Sequence, residues 1–174
     1  RDENVPLASV KGSYAGAMGM PQFMPSSYRQ WAVDGDADGK RNLWASTDDV
    51  LASVANYFVE HGWQRGASVA VPVQLPASLV ESPSRLDAML NRGRDLSAKT
   101  TLGELRALGV SVPITQGQDN LPTMLMPFQY EDEVRYMVGL PNFYVITRYN
   151  HSAHYAMAVW ELAQAIRVRA KAAS

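Results

Sequence analysis

The chain has 174 residues, of which 47% are apolar and 19% are charged, a composition that argues against disorder and suggests about one domain, or one with an insert. Sixteen Lys and Arg against 17 Asp and Glu give a net charge of −1, which argues against a general binder of polyanions, nucleic acid included. Because the sequence contains no cysteine, disulfide scaffolds and cysteine-based zinc or thiol chemistry are excluded.

The chain begins Arg-Asp-Glu rather than with methionine, so we expect a processed or excised piece of a longer protein. No run approaches 18 apolar residues, and no membrane-spanning helix is expected. Residues 1–12 have the composition of a polar lead-in. The glycine- and methionine-rich segment 12–25 has neither helical nor strand periodicity. Its composition leaves open whether it wraps under a cleft or turns a corner.

Two helices are predicted next. The serine pair after Pro25 can cap a short helix that runs to about Val33. A second helix follows Ser46, which has capping-box spacing with Asp49, and Gly62 is a suitable stop.

From about residue 66 the pattern changes to a small mixed α/β insert over 66–142. The segment 68–74 is predicted to be a strand at a sheet edge, because Pro72 cannot donate a ladder hydrogen bond. Short helices are predicted to start at Ser84 and Thr101, each followed by an acidic residue at capping-box spacing. Three more strands are predicted over 123–130, 133–138 and 143–147.

The last predicted element is a helix over 152–170. Apolar residues cover most of its circumference, which is typical of a buried helix. Basic residues near its end complement the helix dipole. The fold class predicted from these elements is α+β, with a mainly helical core and a small β-containing insert.

The loop 34–45 has the pattern of the first half of an EF-hand calcium loop, with Asp34, Asp36, Asp38, Gly39 and Asn42 at positions 1, 3, 5, 6 and 9. The Lys40 carbonyl would be the position-7 ligand. Position 12 is Ala45, which cannot ligate, and the nearest replacements are Asp48 and Asp49. The alternative is a solvated turn rich in Asp and Gly. Three aspartates this close repel one another without a cation, which favours the metal site.

A second set of residues combines tyrosine rings with amide and hydroxyl groups, which suit stacking on sugars and hydrogen bonding to them. Each tyrosine could instead be a core residue with one satisfied hydroxyl. No matched carboxylate pair for a two-carboxylate glycosidase is evident, and Glu3 is not assigned as an acid. The pair His151 and His154 could ligate a metal but lacks a local carboxylate partner. The set comprises Ser13, Tyr14, Gln22, Tyr57, Tyr144, Tyr149, Asn150 and Tyr155.

These motifs resemble the membrane-bound lytic murein transglycosylase B family of Gram-negative bacteria. The resemblance covers nearly the whole chain, more loosely between about 75 and 125. It implies a lysozyme-like helical core, formed by 1–65 with the calcium loop and by 143–174, and a small β/α domain inserted over 66–142. The matching stretches occur in the family's order: 11–28, 34–48, 54–58, 61–63 and 139–160.

The resemblance implies cleavage of the β-1,4 bond between N-acetylmuramic acid (MurNAc) and N-acetylglucosamine (GlcNAc) without water, giving 1,6-anhydro-MurNAc ends. One glutamic acid acts as acid and then as base, and the family's motif for it lies upstream of this chain. Ser13 would orient that glutamate. The implied glycan contacts are Gln22, Tyr57, Tyr149, Asn150 and Tyr155. The implied ligands of a structural Ca²⁺ are Asp34, Asp36, Asp38, the Lys40 carbonyl and Asp48.

The implied partners are peptidoglycan glycan strands and a missing N-terminal part of the same protein. The implied location is the periplasm, with lipid anchoring to the outer membrane through that missing part. Two alternatives stay open: a hydrolytic, lysozyme-like muramidase, and a non-catalytic peptidoglycan-binding domain. Without its glutamate, the isolated chain is expected not to cleave murein.

Overall fold

The computed structural model of the chain describes residues 12–113 and 118–173. As predicted, these residues form a mixture of helices and strands. The chain divides into two compact units, Arg1–Trp63 and Gln64–Ser174. In the part of the chain that the structure describes, no helix is both long enough and apolar enough to cross a membrane.

The first unit contains helices α1, Pro25–Trp31, and α2, Thr47–Glu60. The predicted serine cap of α1 is wrong, because both serines lie inside the first turn and Pro25 begins the helix. Proline suits that position, since its fixed φ fits a helix and its missing N–H has no helical partner there. The predicted cap of α2 is confirmed: the Ser46 hydroxyl accepts a hydrogen bond from the Asp49 N–H at 3.2 Å.

The second unit contains a four-stranded antiparallel sheet in the order β1-β4-β3-β2. Strand β1 lies at one edge of this sheet, as Pro72 predicts, because an edge strand can spare one N–H. The strands are β1 Ala70–Val73, β2 Thr100–Thr101, β3 Pro122–Gln129 and β4 Val134–Gly139.

Three short helices, α3 to α5, cover this sheet. Each contributes leucine to one apolar core with the strands, and Leu102 and Leu105 of α5 are fully buried there. Each such side chain contributes about 1.5–3 kcal/mol on burial. The predicted capping box of α5 forms, whereas Ser84 lies inside α4 rather than at its start. The helices are α3 Ala77–Val80, α4 Pro83–Met89 and α5 Leu102–Ala107.

The strand predicted over 143–147 is wrong, because these residues belong to helix α6, Pro141–Tyr149. The segment is rich in β-branched and aromatic residues, which favour strands. Tertiary packing overrides this preference: Phe143, Ile146 and Thr147 recur at helical spacing and are all buried. The Thr147 hydroxyl also donates to the carbonyl of Tyr144, one turn earlier, at 2.7 Å.

The final helix, α7, spans Ala153–Ala172, close to its predicted bounds. The prediction that it is buried is wrong. Its buried side chains, Ala156 and Met157, come from the first two turns. Further along, Leu162 and Ile166 are 61% and 59% exposed. An apolar circumference therefore does not by itself establish burial, because exposed apolar side chains are common on protein surfaces.

Candidate functional site

Three carboxylates meet where the 34–45 loop lies against the start of α2. One oxygen atom from each of Asp34, Asp36 and Asp49 lies within 4.8 Å of the other two. Carboxylates at this spacing repel one another unless a cation or hydrogen bonds offset their charge. Oxygen ligands of this kind suit a hard cation such as Ca²⁺.

Backbone N–H groups hold the loop around these carboxylates. The two Asp34 oxygens accept from the N–H groups of Asp38 and Gly39 at 3.2 and 2.7 Å. The loop also approaches α2 so closely at Gly35 that an added Cβ would lie 2.4 Å from the Asp48 carbonyl oxygen. Glycine at position 35 is therefore a steric requirement of this geometry.

Asp49 is fully buried, and both of its oxygens are hydrogen bonded. They accept from the N–H groups of Gly35 at 2.7 Å and Asn42 at 2.6 Å. Burial alone would raise the pKa of Asp49, but these backbone donors outweigh burial and lower the pKa below its ordinary value. The carboxylate is therefore ionised at neutral pH and adds a fixed negative charge to the loop.

The other predicted ligands have different surroundings. The Asp38 carboxylate accepts from the N–H of Lys40 at 2.8 Å, in a local turn. Asp48 is exposed, one residue before Asp49. Neither belongs to the group that meets within 4.8 Å. Their ligation, and that of the Lys40 carbonyl, stays a prediction. The sequence offered Asp49, together with Asp48, as a replacement for the missing position-12 ligand.

The glycine-rich segment forms tight turns that present polar side chains. Ser13 is exposed, and its hydroxyl accepts from the N–H of Ala17 at 3.1 Å. Gln22 has a φ of +54°, uncommon for a residue with a side chain, and its amide donates to the Gly19 carbonyl at 2.9 Å. Tyr14 is fully exposed. The described part of the segment turns back on itself, with the Ser13 N–H donating to the Ala17 carbonyl and the Met18 N–H to the Phe23 carbonyl.

Tyr57 lies in an aromatic cluster on α2 and is only 7% exposed. The His61 ring stacks on it, with ring centroids 4.0 Å apart and an angle of 20° between the planes. The edge of Trp31 meets the same tyrosine ring at 4.9 Å. These contacts fix the orientation of the Tyr57 ring.

The remaining predicted glycan contacts lie around the junction of α6 and α7. Tyr149 ends α6, Asn150 follows it, and Tyr155 lies in the first turn of α7. Burial raises the pKa of the Tyr155 hydroxyl. The Ser152 hydroxyl, not Asn150, caps α7 by accepting from the N–H of Tyr155 at 3.2 Å. Among residues 12–113 and 118–173, the exposed Asn150 amide has no hydrogen-bond partner.

Tyr144 and the histidine pair, His151 and His154, lie at the surface near this junction. Tyr144 is 43% exposed on α6. The His154 ring contacts the Phe128 ring edge-on at 5.4 Å, and within the described ranges His151 and His154 belong to no group that could hold a metal ion.

Residues 1–164 match the family described as Transglycosylase SLT domain. Over 166 residues, the chain is 43% identical to the membrane-bound lytic murein transglycosylase B of Escherichia coli (strain K12), covering 95% of this chain and 42% of that protein. The chain therefore spans less than half the length of this relative.

Two solved structures are similar over almost the whole chain. Soluble lytic transglycosylase SltB1 from Pseudomonas aeruginosa is 46% identical, with a TM-score of 0.84, and the match covers 98% of this chain and 54% of that one. Escherichia coli lytic transglycosylase Slt35 in complex with calcium is 43% identical, with a TM-score of 0.79, over 97% of this chain and 50% of that one.

Proposed function

The chain belongs to the transglycosylase SLT domain family, and from this membership we propose that it is part of a lytic murein transglycosylase. The observation that carries the proposal is the family match over residues 1–164, with 43% identity to a murein transglycosylase. In the proposed reaction, a glutamic acid outside this chain protonates the leaving GlcNAc oxygen. The muramyl C6 hydroxyl then attacks C1 and returns its proton to that glutamate, leaving a 1,6-anhydro end.

The proposed architecture is a lysozyme-like helical core of 1–65 and 143–174 with a domain inserted over 66–142. The change from helices to an antiparallel sheet after α2 supports this division. So does the small apolar core that α3 to α5 share with the sheet, because a separate core is what defines a domain.

The proposed glycan contacts are Gln22, Tyr57, Tyr149, Asn150 and Tyr155, and Ser13 would orient the glutamate. The amide of Asn150 is exposed and has no partner among the described residues, which supports its assignment to the muramyl acetamido group, because an amide offers both a donor and an acceptor. The left-handed backbone of Gln22 supports a functional role, since strained residues cluster at functional sites.

The proposed metal site is EF-hand-like and structural. Its proposed ligands are Asp34, Asp36, Asp38, the Lys40 carbonyl and Asp48. The close approach of Asp34 and Asp36 supports the site, as does the calcium in the complex of the relative Slt35. A bound Ca²⁺ would offset part of the negative charge of these carboxylates and hold the loop against the start of α2.

We also propose peptidoglycan strands as the partner and the periplasm as the location, with anchoring to the outer membrane through another part of the protein. The relative's description as membrane-bound supports the last point.

Mass spectrometry of the products tests the proposal. The intact enzyme should release muropeptides from purified murein with 1,6-anhydro ends, lighter by one water than hydrolytic products. Ends that retain this water would identify a muramidase instead. Binding of murein without any product would identify a binding domain. The 174-residue chain alone should release neither product.

A further inference from the structure

A groove opens between α4 and α5, outside the proposed glycan contacts. Its volume is about 410 Å³, enough for a short peptide. Its lining is mainly apolar, and we refer to the apolar lining residues, which include Ala88, Met89 and Leu108, as its floor. Charged side chains form its walls: Arg85 on α4, Lys99 before β2, and Glu104 on α5.

The helices that carry Arg85 and Glu104 are anchored in the core. Leu86 of α4 is 8% exposed and Leu105 of α5 is fully buried, each close to a charged wall residue. The capping box fixes the start of α5, since the Thr101 N–H donates to Glu104 Oε2 at 2.7 Å. A preformed groove binds its ligand without a large ordering cost.

The three charged side chains differ in how many of their hydrogen-bonding atoms are already bonded within the protein. Lys99 is committed to Asp95 Oδ2 at 2.7 Å and to the Leu90 carbonyl at 2.8 Å. Glu104 uses Oε2 in the capping box. The exposed Arg85 guanidinium has no partner among residues 12–113 and 118–173, and its planar fork suits a carboxylate.

We propose that this groove binds the peptide stems of peptidoglycan, with Arg85 holding the terminal carboxylate of the stem and the apolar floor receiving the alanine side chains. The identity of the peptide rests on the proposed function. Stem peptides combine free carboxylates with small apolar side chains, which match the exposed Arg85 guanidinium and the apolar floor. An ammonium group on the stem would face the remaining Glu104 oxygen. In this proposal the inserted domain binds the stem peptide and the helical core binds the glycan.

Binding of a defined peptide to the intact enzyme tests this assignment. The probes are the stem tetrapeptide and the same peptide with its terminal carboxylate amidated. Wild type should bind the free acid roughly three- to tenfold more tightly than the amide, the scale of one partly exposed charge-assisted hydrogen bond. In Arg85→Gln the two dissociation constants should become equal, as in a double-mutant cycle.

Arg94→Gln is the matched control, because Arg94 is also an exposed arginine of this domain but does not line the groove. It should retain the wild-type preference for the acid. An equal loss in Arg94→Gln, a preference that survives in Arg85→Gln, or no peptide binding by wild type would each overturn the proposal. Peptide binding is measured directly and does not depend on cleavage. An enzyme that fails to cleave murein would therefore contradict the proposed function, while the binding assay would still test the groove.

Discussion

Asn142 and Gln64, 78 residues apart in the sequence, exchange two hydrogen bonds of 2.8 Å. The Gln64 N–H donates to Asn142 Oδ1, and Asn142 Nδ2 donates to the Gln64 carbonyl. The same amide nitrogen also donates to the Ala67 carbonyl at 3.1 Å. One buried side chain thus ties the segment that enters β1 to the first turn of α6, which follows β4.

Removing this tie should destabilise the second unit. Asn142→Ala deletes three hydrogen bonds between a buried side chain and the backbone of Gln64 and Ala67, so we expect a loss of about 2–3 kcal/mol in the free energy of unfolding. Urea denaturation monitored by circular dichroism measures it. Asn120→Ala, at an exposed turn, is the control and should change stability by less than about 0.5 kcal/mol. Equal stability of both variants would show that the tie contributes little.

Calcium should raise the melting temperature of the intact enzyme, and a chelator should lower it. The gain at a calcium concentration 100 times Kd is about 2.7 kcal/mol if the ion binds only the folded state. Asp38→Ala should lower stability in calcium and change it little in chelator. Asp49→Asn should lower stability in both, because its carboxylate holds the N–H groups of Gly35 and Asn42 without any ion. An equal melting temperature with and without a chelator would rule out a structural calcium.

Asn150→Ala, made in the full-length enzyme, should lower kcat by roughly one to three decades, the usual cost of losing one positioned donor. KM should change less, because the amide acts most strongly as positive charge develops at C1. Stability should be nearly unchanged, because Ser152 caps α7. Ser152→Ala is the complementary variant and should lose about 1 kcal/mol of stability. Normal kcat in Asn150→Ala would remove Asn150 from the site.

Asp95 gives the second unit an acid-sensitive contact. Hydrogen bonds from Lys99 and then from Ser97 lower the pKa of Asp95 to about 2. A lowered carboxyl pKa stabilises the folded state above the ordinary value of 3.8, and this contribution is lost as pH falls from there towards 2. The difference in melting temperature between wild type and Asp95→Ala should therefore be constant above about pH 5 and shrink towards pH 2. A difference that persists unchanged at pH 2 would assign it to packing instead.

Local chemistry in the sequence predicted several elements correctly. Pro72 indicated an edge strand because it lacks an N–H, and Thr101 with Glu104 indicated a helix start because both bonds of the box are local. Such signals depend on a few neighbouring residues. The local structure that they predict therefore forms unless tertiary contacts oppose it.

The errors fall where distant packing decides the outcome. The strand preference of 143–147 is outweighed by the tertiary burial of Phe143, Ile146 and Thr147 on α6. The place of Asp49 in the acidic group depends on the approach of Gly35 to α2, a contact between separate elements. The sequence presented Asp48 and Asp49 as equal candidates because they differ only in which side of the helix they occupy.

The exposed surface of α7 has a practical consequence for anyone who purifies this chain. Leu162 and Ile166 lie four residues apart on one face of the helix, close to the cationic Arg169. At low ionic strength, repulsion between such cations should keep copies apart. Salt screens that repulsion and leaves the apolar contact undiminished. Light scattering of the chain should therefore increase with sodium chloride concentration, and dilute buffers of low ionic strength should keep it best dispersed.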